Sequence, residues 1–368
     1  MARRERGGRV PSDRAGAAFE ERVARLAAAV PPLDAAAEAA ARDRHARLIK
    51  PAGSLGRLEE LGARLAAMAG RCPPPLPAAP AVLVAAGDHG VVAQGVTPWP
   101  QAITGAMVAA MAAGQAAVNA MAGVIGARLR LLDVGVAAAP APHPLVLPAN
   151  VRRGTADLAV EPAMSRQEAA RALLAGADAA GELLDEGADL LVTGDMGIGN
   201  TTAAACLVAA FTGRLPAAVT GRGTGIDDAT WELKVKVVER ALARHDPDPA
   251  DPIGALASVG GLEHAALAGL LLAGASRRVP VVLDGVNADV AALVACAISP
   301  RVAGFLVAGH RSVEPGASAA LEHLGLSPLI DLELRLGEGT GALLAVPIVR
   351  CAAAVLSMAT FAEAGFAE

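Results

Sequence analysis

The chain reads as an α/β protein, a Rossmann-like parallel sheet with helices on both faces, and three features of the sequence predict it. Short runs rich in Val and Leu end abruptly in Gly and Asp. Ala-rich stretches with helical spacing lie between them. The runs are apolar almost without interruption, which is the pattern of parallel strands covered by helices on both sides.

In chain order, the first 25 residues mix seven Arg with acids and contain no apolar run suited to a secretory signal, so residues 1–30 are expected to be a floppy soluble tail. Asp34 to Ala69 is helical without strands, and Cys72-Pro73-Pro74-Pro75-Leu76-Pro77 is a stiff extended linker. Strands are expected over Ala81–Ala86, Leu129–Val136, Asp189–Thr193, Val279–Leu283 and Val302–Ala308. Gly105 to Ala127 carries no formal charge and is long enough to cross a bilayer. Its Ala and Gly content, with Gln115 and Asn119, favours a buried helix instead. A second apolar stretch from Gly341 is interrupted by Arg350 and completes the helical part. Residues 31–75 with 341–368 are therefore expected to form a small helical domain from both chain ends, beside a large α/β catalytic domain over 76–340.

Composition narrows the partners. Of 368 residues, 54% are apolar and 32 basic side chains face 37 acidic ones, for a net charge of −5. No basic stripe suits nucleic acid, and five Phe, two Trp and no Tyr provide few stacking platforms for single strands. No nucleic-acid partner, membrane, cofactor or metal is expected. Cys72, Cys206, Cys296 and Cys351 form no C-x-x-C pair and read as small core residues of a cytoplasmic protein. His45, His143, His245, His264 and His323 have no nameable partner and read as structural or exposed.

The loops after the strands carry the chemistry, because ligands of open parallel sheets sit beyond the carboxyl ends of the strands. Gly194-Asp195-Met196-Gly197-Ile198-Gly199-Asn200-Thr201-Thr202 follows a strand and opens a helix. Its amides suit a phosphate, or it is a tight turn with Asn200 or Thr201 as a helix cap. It is not a Walker A loop and lacks the third Gly of the dinucleotide fingerprint. Gly221 to Asp228 precedes a helix with Lys234 and Lys236, two of three lysines among 32 basic residues. A retained ammonium in so Arg-rich a chain suits a phosphate, and a solvated helix face is the plainer alternative. Glu338, between glycines in Leu336-Gly337-Glu338-Gly339-Thr340-Gly341, is a general-base candidate if its cleft is apolar, or else a carboxylate serving a helix dipole.

Taken together and in order, these loops resemble the nicotinate-nucleotide:dimethylbenzimidazole phosphoribosyltransferase family, which makes the lower-ligand nucleotide of cobalamin. The matching segments are Lys50 to Glu59, Gly87-Asp88-His89-Gly90-Val91, Gly95-Val96-Thr97, Gly194 to Thr202, Gly221 to Asp228, Asp284-Gly285-Val286, His310 to Gly316 and Gly337 to Gly341. The likeness covers nearly everything after residue 30. It implies a homodimeric glycosyltransferase that moves the 5-phosphoribosyl group of nicotinate mononucleotide to 5,6-dimethylbenzimidazole. It also implies Glu338 as general base and Asp195 as a carboxylate balancing charge on the sugar, a shorter side chain than the family's Glu. The resemblance assigns phosphate and ribose contacts to Gly197, Asn200, Thr201, Lys234 and Ser312. It assigns the benzimidazole pocket to Asp88, His89, Thr97 and Gln101, with Thr97 standing where relatives often carry Ser. Two other readings remain. A nicotinamide-dependent oxidoreductase would need a ribose-binding acid about 20 residues past the glycine loop, and Phe211 to Thr220 offers none. A silent nucleotide-binding module would make Glu338 dispensable.

Overall fold

The computed structural model describes residues 11–366. Helix α1 spans Pro11–Ala28, α2 Ala35–Arg47 and α3 Arg57–Ala69, ahead of strand β1 at Pro80–Gly87. Helices α4 (Ala102–Ala112) and α5 (Ala117–Ile125) precede β2 (Arg128–Gly135) and the short β3 (Val146–Pro148). Next come α6 (Arg166–Asp185), β4 (Leu190–Met196), α7 (Asn200–Thr212), α8 (Pro216–Val219), α9 (Asp228–His245), α10 (Pro252–Val259) and α11 (Leu262–Ser276). The chain continues with β5 (Val281–Leu283), α12 (Val286–Ile298), β6 (Leu306–Ala308), α13 (Pro315–Leu324) and α14 (Thr340–Val355).

All six strands are parallel and lie in the order β3-β2-β1-β4-β5-β6. The chain winds outward from β1 to β3 and returns to place β4 on the other side of β1. Loops after β1 and β4 therefore leave the sheet in opposite directions and open a crevice between them, the ligand position of a doubly wound fold. Every residue of β1 is buried, as continuous apolar strands require when helices cover both faces. Helices α6 and α11 cross so closely that a Cβ on Gly176 would lie 1.8 Å from the carbonyl oxygen of Ala266. Only glycine permits that approach.

Several expectations change. Residues 11–28, expected within a tail, are helical. Phe19, Val23 and Leu26 share one face of α1 and pack on the main core, while Arg22 pairs with Asp178 at 3.1 Å. Residues 1–10 of the expected tail lie outside the described residues. The run Val302–Phe305 belongs to a 3₁₀ turn begun by Pro300, so β6 keeps only its last three residues. The stretch expected as one buried helix over Gly105–Ala127 is two helices broken near Gly114. Only 22% of its most apolar window is buried, and Val124 is 87% exposed. Among the described residues this is the one helical stretch long and apolar enough to cross a membrane.

Helices α2 and α3 meet the segment that follows α14. Ala41, Ala63, Ala66 and Leu356 form an apolar cluster separate from the main core, and Leu48 bridges to Thr360. Arg350, the residue that interrupts the last apolar stretch, donates to the carbonyl oxygens of Pro77 (2.8 Å) and Ile125 (3.1 Å).

Candidate active site

A cavity lies beyond the carboxyl ends of β1, β4, β5 and β6, and its two sides differ in charge. The cationic side begins at α7. Gly199 caps this helix at φ 94°, and a Cβ on Gly197 would stand 2.3 Å from the carbonyl oxygen of Gly87, so both positions demand glycine. The bare loop turns the positive end of the α7 dipole to the cavity. Lys234 of α9 reaches the same place, its Nζ donating to Thr201 Oγ1 (2.8 Å) and to the Gly221 carbonyl (3.1 Å). Burial lowers its pKa to about 8, partly opposed by the charge of Glu314. Glu314 in turn accepts from the Gly223 amide at 2.7 Å and holds the Gly221–Gly225 loop, whose far side is tied by Arg335 to the Gly223 carbonyl (3.1 Å).

On the acidic side Asp195 lines the cavity, and Glu338 follows the wall residue Gly337. Asp195 is the penultimate residue of β4, and its Oδ2 accepts from Asn200 Nδ2 (2.8 Å) and Asn287 Nδ2 (2.7 Å). Burial raises its pKa to about 8, with the charges of Asp284, Glu263 and Glu338 acting in the same sense. A raised pKa favours the neutral carboxyl over the charged one.

Glu338 occupies a left-handed backbone position (φ 62°) between Gly337 and Gly339, which are also left-handed. Its side chain is 3% exposed, and Oε2 accepts from the Val118 amide (3.3 Å) at the start of α5. Burial raises its pKa above the usual glutamate value, the Val118 bond opposes this, and the charge of Asp284 adds to it. Asp284, immediately after β5, accepts from the amides of Gly339 and Ala342, at 3.0 Å each. The carbonyl of Asp195 accepts from the Glu338 amide (3.3 Å), which places the two acids on neighbouring backbone.

Of the residues singled out from sequence, Thr97, Asp195, Gly197, Asn200, Thr201, Lys234 and Ser312 line this cavity. Glu338, expected as the general base, follows the lining residue Gly337 but is not itself in the wall, and its carboxylate meets the start of α5. Asp88 and His89, expected in the benzimidazole pocket, are not in the wall. Both are buried, Asp88 accepting from the Ala137 amide (2.8 Å) and His89 Nε2 lying 2.7 Å from Glu263 Oε1. Gln101 is also outside the lining and donates to the His89 carbonyl (2.7 Å). Sequence reasoning missed Asn287, Glu314 and Arg335 as wall residues, although Glu314 sits inside the His310–Gly316 segment and Asn287 directly follows Asp284-Gly285-Val286.

A family model described as phosphoribosyltransferase matches residues 30–366. The nicotinate-nucleotide–dimethylbenzimidazole phosphoribosyltransferase of Salinispora tropica is 59% identical over 359 residues, covering 94% of this chain and 99% of its own. The chain belongs to this phosphoribosyltransferase family. A relative of the same name from Chloroflexus aggregans is 52% identical and covers 92% of this chain and 96% of its own. The crystal structure of CobT from Thermus thermophilus superposes with a TM-score of 0.88 at 50% identity, over 90% of this chain and 99% of that one. The family member described here thus shares the α/β architecture of its solved relative as well as its sequence.

Proposed function

We propose that the chain transfers the 5-phosphoribosyl group of nicotinate mononucleotide to 5,6-dimethylbenzimidazole, giving α-ribazole 5′-phosphate and nicotinate. The observation that supports this reading is one crevice that gathers the start of α7, Lys234 and Asp195, with the buried carboxylate of Glu338 next to its wall residue Gly337. The phosphate rests on the amides of the Gly197–Asn200 turn and on Lys234, so remote binding energy aligns the sugar. One benzimidazole nitrogen attacks the anomeric carbon from the face opposite the nicotinate ring, which inverts the sugar from β to α. Its other nitrogen gives its proton to Glu338. The bond to nicotinate breaks as that ring nitrogen takes the electron pair and loses its positive charge. A carboxylate with a raised pKa is suited to accept the proton near neutral pH.

The same reading includes a homodimer in the cytoplasm. The apolar surface left open along α4 and α5 supports pairing with a second copy. It also includes the division into a small unit (31–75 with 341–368) and a catalytic unit (76–340), supported by the separate cluster at Leu356. Thr97 in the wall, with Gln101 behind it, remains our assignment for the base pocket. Incubating the purified chain with both substrates and following the mixture by mass spectrometry tests the proposal. α-Ribazole 5′-phosphate and free nicotinate in equal amounts support it. Intact nicotinate mononucleotide after prolonged incubation overturns it.

A further inference from the structure

A chain of buried polar groups behind the cavity has no role in the chemistry described so far. His264 of α11 is fully buried. Its Nδ1 accepts from the backbone N–H of Gly261 at 3.1 Å, so in the neutral ring the proton sits on Nε2. Burial lowers the pKa of His264, opposed by the charge of Glu263, whose Oε1 lies 3.4 Å from Nε2. Nε2 lies 3.0 Å from Asn287 Oδ1, and its N–H settles which end of that amide faces inward. The NH₂ of Asn287 is then directed at Asp195 Oδ2, which already receives Asn200 Nδ2. Two N–H donors occupy the lone pairs of Oδ2. Any acid proton on Asp195 must therefore sit on Oδ1.

Oδ1 is the oxygen free to meet a ligand. It has no hydrogen-bond partner among the described residues, and it is not sealed from solvent as both oxygens of Asp289 are. Gly337 keeps the space above it open, since a Cβ there would stand 3.4 Å from Oδ1.

We infer that His264 and Asn287 are positioning residues that fix the proton of Asp195 on Oδ1, so that Asp195 meets the bound nucleotide as a neutral hydrogen-bond donor to a ribose oxygen. This rests on the phosphoribosyl-transfer reading for the identity of the ligand, but not for the location of the proton. The groups facing Asp195 are Asn200 on α7, Glu263 and His264 on α11, Asp284 and Asn287 around β5 and α12, and Glu338 before α14. Three of them are acids, and their charges add to the burial that lifts Asp195 to about 8. The donor is present below that pH and lost above it.

The test compares wild type, His264→Leu, His264→Gln and Asn287→Leu by steady-state kinetics across pH and by infrared difference spectra against Asp195→Asn. Wild type should show the carbonyl band of a protonated acid at neutral pH, titrating near 8. His264→Leu frees the Asn287 amide to turn its oxygen toward Oδ2, drawing the proton away from the cavity. The band should shift and kcat should fall about 10-fold, the scale of one hydrogen bond, while KM for the nucleotide changes little. His264→Gln can accept from Gly261 and donate to Asn287, so it should restore kcat and the band. Asn287→Leu removes a donor that favours the carboxylate and should move the alkaline limb of kcat to higher pH. If His264→Leu does not fold, His264→Gln and Asn287→Leu decide the matter with the same readouts. An Asp195 band absent at neutral pH, a wild-type band and pH profile in His264→Leu or Asn287→Leu, or a His264→Gln that fails to restore them, overturns the inference. If wild type forms no α-ribazole 5′-phosphate, the functional reading fails, and the infrared comparison still locates the proton.

Discussion

Asp284 fixes the backbone around Glu338 without a hydrogen bond to its side chain. One carboxyl oxygen accepts from the Gly339 amide and the other from the Ala342 amide, both at 3.0 Å. These bonds cap the start of α14 from outside the helix, and they hold the left-handed turn in which Glu338 stands. Asp284 is itself fully buried, with His310 3.6 Å away.

The first expectation concerns that cap. In Asp284→Asn one of the two amides meets an NH₂ group instead of an acceptor, so a buried N–H is left unpaired at a cost of about 1–3 kcal/mol. Thermal unfolding should show the loss. The variant also lacks a nearby negative charge that raises the Glu338 pKa, so the acidic limb of the pH–rate profile should move to lower pH. A variant with wild-type unfolding and profile would dismiss Asp284 as the anchor.

Glu338 carries strain that its neighbours do not. At φ 62° a side chain costs roughly 1 kcal/mol or more, whereas Gly337 and Gly339 adopt similar angles freely. Glu338→Gly should therefore abolish turnover while leaving the melting temperature equal to or above that of wild type. Melting well below wild type would show that the side chain supports the fold.

Lys234 should govern nucleotide binding. Lys234→Met keeps the apolar stem and removes the ammonium that bonds Thr201 and Gly221. A hydrogen bond to a charged group contributes about 1.5–3 kcal/mol, so KM for nicotinate mononucleotide should rise roughly 10- to 100-fold with a smaller effect on kcat. An unchanged KM would take Lys234 out of the phosphate site.

Asp195 should leave a mark on stability. Its folded pKa is raised, so the stabilising contribution is complete below the ordinary aspartate range and fades as pH climbs to about 8. Denaturant unfolding across that window should fall less steeply in Asp195→Asn than in wild type. Parallel slopes would mean that Asp195 is ionised in the folded protein throughout.

How far the sequence could be read depended on the physics of each element. Strands β1, β2 and β4 stood out because long Val and Leu runs have no other home in an Ala-rich chain, and the loops after them were placed correctly. Strand β3 escaped notice: it is three residues ending in Pro148 at the sheet edge, too short for any period. Pro300 turned the first half of the last apolar run into a 3₁₀ turn, a local effect that apolar content does not register. Glycine-rich loops made Asp195, Lys234 and Glu338 legible. His264 was not, because its partner Asn287 stands in the first turn of α12, 23 residues on, and only the folded chain brings the starts of α11 and α12 together. Asp88 and His89 illustrate the converse. They follow β1 at the crevice, yet burial turns them into the Ala137 and Glu263 contacts beneath it.

The central claim is that Glu338 takes the proton of the attacking base. Rapid-quench product formation from nicotinate mononucleotide and 5,6-dimethylbenzimidazole, measured for wild type and Glu338→Gln at saturating substrate, tests it most directly. We expect the folded variant to form α-ribazole 5′-phosphate at least about 100-fold more slowly, the scale of a lost general base. Equal rates in the two proteins would contradict that claim.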